Sequence, residues 1–354
     1  MTRGLAWLPA CALKGRPHIL VDSGAVAGTV LSLSHWPASP TPAGLRRDTS
    51  AEIAIAYLGE ALRDGSGPAA WPAPLVATDH LDQDGLAAAW ALTQPEGALD
   101  RAPKLVALAE AGDFAVVSDR DAARASFALA TLADPGRSPL GAQTWQADPC
   151  RRQSALGAEL LARVGELLDD PVSSRHLWAE EDESLERGLA EIGSGRVVVE
   201  EVPDLDLAVV RVPQGPRLLA TRFLDPVPSS CHPAAIHART AASRLLVDDG
   251  GSFRLVLRYE GWVRTVRRRP KPRVDLSGLA EQLSAAEPGG TGWTFSGVSA
   301  LVPVLEPEGG VHSELAFAGV RAATEHWLAA APPAWGPEGP LPPPPAAHRS
   351  PGRR

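Results

Sequence analysis

The sequence predicts an α/β fold: a parallel-sheet α/β domain, a helical connector, a smaller α+β domain and a disordered Pro-rich tail. Short apolar runs alternate with helical stretches in the first part, two polar-faced helices follow, and the chain is then rich in strand patterns. The final segment consists mostly of Pro, Gly and Arg. A chain of 354 residues is long enough for two cores. We expect domain boundaries at residues 1–150, 151–195, 196–330 and 331–354.

The expected elements follow from the spacing of apolar residues. In the first domain we expect strands at residues 18–22, 29–34 and 75–78, and helices at 50–63, 101–111 and 120–133. The connector pairs helices 151–168 and 175–192. The second domain has a helix at 276–286 and strands at 197–201, 205–212, 218–223, 253–259, 262–267 and 293–295.

Composition restricts the class of function. The net charge is −8, which argues against a chain that coats nucleic acid non-specifically. Three widely spaced cysteines without a CxxC pair predict neither a zinc ribbon nor a disulfide framework. No apolar run reaches membrane-spanning length and the first residues do not resemble a signal peptide, so we expect a cytoplasmic location and no membrane partner.

The segment that follows the strand at residues 75–78 carries the clearest chemical signal. His80, Asp82 and Asp84 occupy alternate positions, and Gly85 is expected to form a tight turn into an alanine-rich helix. Alternate residues at a strand end face a common point, and His with two carboxylates is a ligand set for a divalent transition metal. The strand end ahead of a helix is also where open α/β sheets bind ligands.

This segment admits two other interpretations. An EF-hand calcium loop requires an acid at its first position and a Glu at its twelfth, and here those positions hold His80 and Ala91. Calcium is therefore excluded. The second alternative, in which the Asp and Gly residues merely cap a helix, stays open.

The His-x-Asp-x-Asp-Gly motif resembles motif I of the DHH phosphoesterase superfamily. Its closest form is the Asp-x-Asp-x-Asp-Gly version, with His80 here in the first place. Residues 273–290 are similar to the DHH-associated domain, in which a helix ends in a Gly-Gly-Gly-His substrate loop. Gly289 and Gly290 are retained, whereas Thr291 and Gly292 replace the last Gly-His.

The other motifs of the family have counterparts in an altered order. Asp22 resembles the second motif, Ser34-His35-Trp36 a degraded Asp-His-His triplet, and Asp113, which we place in a loop between two helices, the fourth motif. The resulting order is II, III, I, IV, which implies a circularly permuted core. An unrelated α/β enzyme with a coincidental motif is the alternative, and it would leave Asp22, His35 and Asp82 far apart.

The resemblance implies two Mn²⁺ or Mg²⁺ ions that activate water for attack on phosphorus. His80 and Asp82 would hold one ion, and His35 and Asp113 the other. Asp22 and Asp84 would complete the set, one of them bridging. His35 and Asp84 are the expected catalytic residues. The expected metal ligands are therefore Asp22, His35, His80, Asp82, Asp84 and Asp113.

Several residues are expected to contact substrate. Clustered arginines can clamp phosphate, and the family often has a substrate Arg on the strand that carries Arg258. The alternative for the arginine cluster is a solvated strand edge whose charge prevents aggregation. The expected substrate-binding residues are Arg258, Arg267, Arg268, Arg269, Gly289 and Gly290.

The sequence thus predicts a divergent binuclear-metal phosphoesterase. Its substrate would be a phosphodiester, a small phosphorylated nucleotide or a short oligonucleotide. The alternative is a catalytically degenerate protein of the same fold that binds a phosphorylated ligand or a protein partner. The altered triplet favours this alternative, because Ser34 and Trp36 replace an Asp and a His of the family.

Overall fold

The computed structural model describes residues 4–63, 71–213, 215 and 230–339. The chain divides into two compact units. The first unit comprises Met1–Glu186 and the short segment Val263–Arg269. The second unit begins at Arg187, continues to Trp262, and resumes at Pro270 after that segment. The division therefore falls inside a helix of the expected connector. The predicted α/β class, with a parallel sheet in the first unit, is confirmed.

The first unit is built on a four-stranded sheet in the order β1-β4-β2-β3. Its strands are β1 (Ala6–Pro9), β2 (His18–Val21), β3 (Thr29–Leu33) and β4 (Leu75–Thr78). Every neighbouring pair is parallel. All residues of β2 and β4 are buried, as expected for apolar strands covered on both faces. The carboxyl ends of β2, β3 and β4 consequently lie at the same edge of the sheet.

Helices surround this sheet and match most of the expected elements. They are α1 (Ser50–Arg63), α2 (Gln83–Thr93), α3 (Pro95–Asp100), α4 (Ala102–Asp113), α5 (Arg120–Ala133), α6 (Ala142–Gln146), α7 (Pro149–Asp169) and α8 (Arg175–Gly193). Helix α2 packs against α1, α4 and β4. Among the described residues, no helix combines the length and the apolar character needed to cross a membrane.

Gly85 differs from its predicted role. It lies in the first turn of α2, which begins at Gln83, and does not form a turn before the helix. A Cβ atom at Gly85 would lie 3.1 Å from Asp82 Oδ1, 3.2 Å from Thr78 Oγ1 and 3.4 Å from Asp22 Oδ2. A glycine therefore allows α2 to start directly against the strand ends and their carboxylates.

The second unit contains a mixed six-stranded sheet in the order β10-β11-β8-β7-β6-β5. Only β6 and β7 are parallel neighbours. Leu279 and Leu283 of α10 and Val320 and Leu328 of α11 belong to its apolar core. The elements are β5 (Val198–Val202), β6 (Leu207–Val212), α9 (Pro233–His237), β7 (Arg244–Asp249), β8 (Ser252–Leu257), β9 (Arg273–Val274), α10 (Ser277–Ala286), β10 (Trp293–Phe295), β11 (Val304–Pro307), α11 (Phe317–Ala330) and β12 (Pro333–Trp335).

Two expectations for the second half of the chain differ from the structure, and a third cannot be compared with it. The prediction of a strand at residues 262–267 is wrong. The backbone N–H groups of Arg264, Val266 and Arg267 donate to His35 and Asp48, and this described segment pairs with no strand. The strand at 218–223 lies outside the described residues. The tail expected to be disordered from residue 331 begins with β12, which pairs with β9; its residues from 340 onward are outside the described residues.

A disulfide bond joins Cys11 to Cys150, a pairing that the prediction of no disulfide framework did not anticipate. The bond ties the segment after β1 to the first turn of α7, across 139 residues of sequence. The spacing of the cysteines in the sequence does not indicate a pairing over such a separation. Disulfides are rare in the cytoplasm, so the cytoplasmic location stays a prediction.

We expect this disulfide to stabilise the first unit by about 2–5 kcal/mol, because it closes a long loop in the unfolded chain. A Cys11→Ser/Cys150→Ser double variant should melt at a lower temperature than the wild type in calorimetry. A reducing agent should lower the melting temperature of the wild type and leave that of the variant unchanged. Thiol titration of denatured, unreduced protein should find one of the three cysteines reactive; three reactive thiols would contradict the bond.

Candidate metal centre

Asp22 lies between two histidines at the carboxyl edge of the parallel sheet. It is the residue after β2, has a left-handed backbone (φ 45°) and is fully buried. Its Oδ1 accepts a hydrogen bond from Ser50 Oγ at 2.8 Å and lies 3.3 Å from His35 Nε2. Its Oδ2 lies 3.2 Å from His80 Nε2. Each oxygen of this carboxylate therefore faces a different imidazole.

His35, two residues beyond β3, presents its Nε2 to a group of carboxylates. Its Nδ1 lies 2.6 Å from the carbonyl oxygen of Asp48, which can only accept, so Nδ1 carries the proton. Nε2 is 3.6 Å from Asp84 Oδ2 and 3.5 Å from Asp113 Oδ2. The Asp48 carbonyl thus orients the ring. Ser34 Oγ instead accepts from the backbone N–H of Trp36.

His80 is held by a carboxylate on each side of its ring. Its Nδ1 lies 2.5 Å from Asp79 Oδ1, and its Nε2 lies 2.9 Å from Asp82 Oδ2. The hydroxyl of Ser23 also donates to Asp79 Oδ1, at 3.0 Å. The indole of Trp36 stacks on the imidazole with 5.5 Å between ring centroids. A metal-binding His commonly gives its other nitrogen to a carboxylate in this way.

Asp82 and Asp84 each cap a helix while facing the centre. Asp82 Oδ1 accepts from the N–H of Gly85 at 2.8 Å, so the helix-capping interpretation is confirmed for this atom. Asp84 accepts from the N–H groups of Ser50 and Ala51, at 2.7 and 2.6 Å, at the start of α1. Because a carboxylate has about four lone-pair positions, these bonds leave acceptor capacity toward the centre.

Asp113 is the last residue of α4, whereas the sequence suggested a loop position. It is buried, and neither of its carboxylate oxygens has a hydrogen-bond partner among the described residues. Buried acceptors without donors are costly, and a cation at the centre would satisfy those of Asp113.

The side chains form two donor groups that share one residue. Asp22, His80 and Asp82 make the first, and Asp22, His35 and Asp84 the second; within each group the donor atoms lie within 4.8 Å of one another. Nitrogen and oxygen donors of this kind suit a divalent cation, and the donorless oxygens fit its presence. The structure therefore brings Asp22, His35 and Asp82 together.

Electrostatic repulsion inside the cluster is visible in the pKa values of its acids. Burial, followed by the neighbouring charge of Asp22, raises the pKa of Asp84 to about 7. Burial and neighbouring carboxylates likewise raise the pKa of Asp113 well above its ordinary value. Asp22 is the exception, because its bonds and charge interactions with His35 and His80 outweigh burial and lower its pKa.

Both histidines are stabilised in the protonated form. For His35, burial alone would lower the pKa, but the hydrogen bond to Asp22 and the charges of Asp84 and Asp22 raise it to about 9. The pKa of His80 is raised well above its ordinary value despite burial, chiefly by the charge of Asp82 and the bond to Asp22. Protonated imidazoles therefore balance part of the negative charge in the metal-free protein.

The predicted substrate residues lie outside the two donor groups. In the first unit, Arg267 is paired with three carboxylates, and Arg268 and Arg269 follow it in the same segment. In the second unit, Arg258 is buried and donates to the carbonyls of Thr240 and Ala242. Gly289 and Gly290 form the turn after α10. Their roles in substrate binding stay predictions.

Sequence reasoning missed the residues that orient the histidines. Asp79 is adjacent to His80, and a carboxylate beside a predicted metal-binding His was a usable signal. Asp48 acts on His35 through its backbone carbonyl, for which the sequence holds no signal. Gln153 of α7 also donates to the carbonyl of Asp79 at 2.6 Å, a contact between residues 74 positions apart.

Comparison with known families places the chain in a defined group. Residues 3–320 match the family described as Family of unknown function (DUF6687). The chain belongs to this family. The matched span contains every residue of both donor groups, so the candidate centre lies within the matched part of the chain. No curated protein and no solved structure matches the chain.

The pKa values predict that the metal-free protein loses stability as pH rises. The folded-state pKa of His35 is about 9 against 6.5, and that of Asp84 about 7 against 3.8, so the folded chain binds more protons than the unfolded chain. The contribution of His35 is complete below pH 6.5 and disappears by pH 9; that of Asp84 disappears between pH 3.8 and 7. We expect the melting temperature to fall by about 5 °C or more from pH 6 to 9.

Calorimetry of metal-free protein across this range provides the measurement. Saturating Mn²⁺ should raise the melting temperature more at pH 8 than at pH 6, because the ligands must release protons to bind it. His35→Gln should flatten the dependence of the metal-free protein on pH, whereas the exposed His176→Gln should leave it unchanged. A melting temperature of the metal-free wild type that rises from pH 6 to 9 would contradict this account.

Proposed function

We propose that the chain is a divergent binuclear-metal phosphoesterase that hydrolyses a phosphodiester or a small phosphorylated nucleotide. The observation that carries the proposal is the position of Asp22, which belongs to both donor groups. A carboxylate with one oxygen facing each group is suited to bridge two cations. Short oligonucleotides are included in the proposed substrate class.

The distances between the side chains indicate which residues would hold each ion. His80 and Asp82 would hold one, and His35 and Asp84 the other, with Asp113 beside the second. Imidazole nitrogens beside carboxylates favour Mn²⁺, and Mg²⁺ is the second candidate. Bound there, such ions would lower the pKa of a water molecule and stabilise negative charge on a phosphoryl group.

The chain itself fixes the orientation of the donors. Asp79 and the Asp48 carbonyl hold the two imidazoles by their Nδ1 atoms, so that both Nε2 atoms face Asp22. Asp84 is anchored through both oxygens to the backbone of α1. The side chain of His35 is fully buried, while that of His80 is 25% exposed, so ligands reach the centre from the side of His80.

The arrangement supports the resemblance to the DHH phosphoesterase superfamily. Asp22, His35 and His80 follow three neighbouring parallel strands although their motifs occur in a permuted order in the chain. The altered triplet remains a departure: Trp36 stacks on His80 where the family has a second His. That contact favours, as the second candidate function, a degenerate protein that binds a phosphorylated ligand without turnover.

We expect Mn²⁺-dependent hydrolysis by metal-stripped and reloaded protein. The substrates would be bis(p-nitrophenyl) phosphate, p-nitrophenyl phosphate and oligonucleotides of a few residues, with products separated by chromatography. Asp22→Asn and Asp82→Ala should each lower the rate by more than about 100-fold, since loss of a ligand exceeds the effect of losing an orienting partner. Asp100→Asn, an exposed carboxylate at the end of α3, is the matched control and should retain the wild-type rate.

The outcomes separate the two candidate functions. If Asp22→Asn and Asp82→Ala each retain the hydrolysis rate of the wild type, the phosphoesterase proposal is contradicted. Protein that binds Mn²⁺ and is stabilised thermally by nucleotides, but hydrolyses none of the substrates, would establish the degenerate alternative.

A further inference from the structure

The segment Val263–Arg269, here called the clasp segment, contacts the backbone that carries His35. The N–H of Arg264 donates to the carbonyl of His35 at 2.8 Å. The carboxylate of Asp48 accepts from the N–H groups of Val266 and Arg267. The carbonyl of Asp48 is also the acceptor for His35 Nδ1. The clasp segment therefore contacts both the main chain of His35 and the residue that orients its imidazole.

The guanidinium of Arg267 links three parts of the first unit. It pairs with Glu52 of α1, with Glu110 of α4 at 3.2 Å and with Asp48 at 3.4 Å. The first turn of α1 binds Asp84 through its backbone N–H groups. Glu110 lies three residues before Asp113 on the same helix. Each partner of Arg267 therefore belongs to an element that carries or fixes a residue of the His35 side.

These ion pairs differ from an ordinary surface pair. The side chains of Asp48, Glu52 and Glu110 are 13, 24 and 14% exposed, although that of Arg267 is 54% exposed. Three largely buried carboxylates converge on one cation, whose planar fork suits several acceptors at once. Removal of the cation would leave three negative charges close together, and their repulsion would move α1, α4 and the Asp48 backbone apart.

We propose that Arg267 is a positioning residue for the ion held by His35, Asp84 and Asp113, and that it does not bind substrate. The inference rests on the proposed binuclear centre, but it concerns ion binding and requires no turnover. On the His80 side, Asp79 and Trp36 contact the imidazole, Gly85 donates to Asp82, and Gln153 donates to the carbonyl of Asp79, whereas the three carboxylates paired with Arg267 belong to the His35 side. Loss of Arg267 should therefore affect the two ions unequally.

The test is a titration of metal-free protein with Mn²⁺, followed by calorimetry and by the electron paramagnetic resonance signal of coupled Mn²⁺ pairs. Arg267→Ala should weaken the second ion by about 10–100-fold, as found when partners that orient metal ligands are lost. The affinity for the first ion should change by less than about 3-fold, a negligible effect on that scale. Coupled pairs should then form only at higher Mn²⁺ concentration.

Arg269→Ala is the matched control, because Arg269 is exposed in the same segment and forms no hydrogen bond or ion pair with another described residue. It should leave both ions unchanged. Arg267→Lys should recover part of the second-ion affinity, since it restores charge without the guanidinium fork. The melting temperature of each metal-free variant shows whether a loss of Mn²⁺ affinity reflects general instability. General instability would weaken the binding of both ions together.

Three results would overturn the inference: equal weakening of both ions, unchanged Mn²⁺ binding by Arg267→Ala, or a wild type that binds fewer than two ions. Unchanged Mn²⁺ binding with weaker binding of inorganic phosphate would show that Arg267 contacts ligand instead. A wild type that binds two ions, loses the second in Arg267→Ala and hydrolyses no phosphoester would sustain the inference while the proposed phosphoesterase function fails.

Discussion

The interaction of the buried Asp22 carboxylate with two imidazoles is the constraint on which the first unit depends. Its two oxygens face His35 and His80, and three further buried aspartates lie around the same histidines. Burial of unbalanced charge costs several kcal/mol per ion, so such a cluster persists only with compensating partners. The parallel sheet makes the cluster possible, because three strands deliver their carboxyl-terminal residues to one edge.

Backbone groups supply much of that compensation. The start of α1 donates two N–H groups to Asp84, the start of α2 donates one to Asp82, and the Asp48 carbonyl accepts from His35. These groups are fixed by the fold, so the donor atoms are held in place before any ligand arrives. The same arrangement ties the centre to helix packing, and ion binding should therefore stabilise the first unit as a whole.

Much of the centre was predictable from sequence, because apolar runs show where buried strands end. Apolar runs located β2, β3 and β4, and the residues that follow each run, Asp22, His35 and His80, meet as expected. The end of α4 was predicted two residues too early. Gly112 suggested a helix end, but a Cβ there would lie 2.5 Å from Gln83 Cβ, so this glycine serves the close approach of α4 to α2.

Features that depend on distant segments were not predictable. Residues 262–267 have a strand-like pattern, yet the backbone N–H groups of Arg264, Val266 and Arg267 donate to His35 and Asp48, more than 200 positions away. The pairing of Cys11 with Cys150 has no counterpart in a spacing rule. In each case the decisive partner is set by tertiary packing, which local periodicity does not encode.

The most direct test of the central claim is a crystal structure of the Mn²⁺-loaded protein with anomalous scattering recorded at the manganese edge. The account predicts two peaks on either side of the Asp22 carboxylate, one beside His80 and Asp82 and one beside His35 and Asp84. A single peak, or none, with the same side chains in place would contradict a binuclear centre bridged by Asp22.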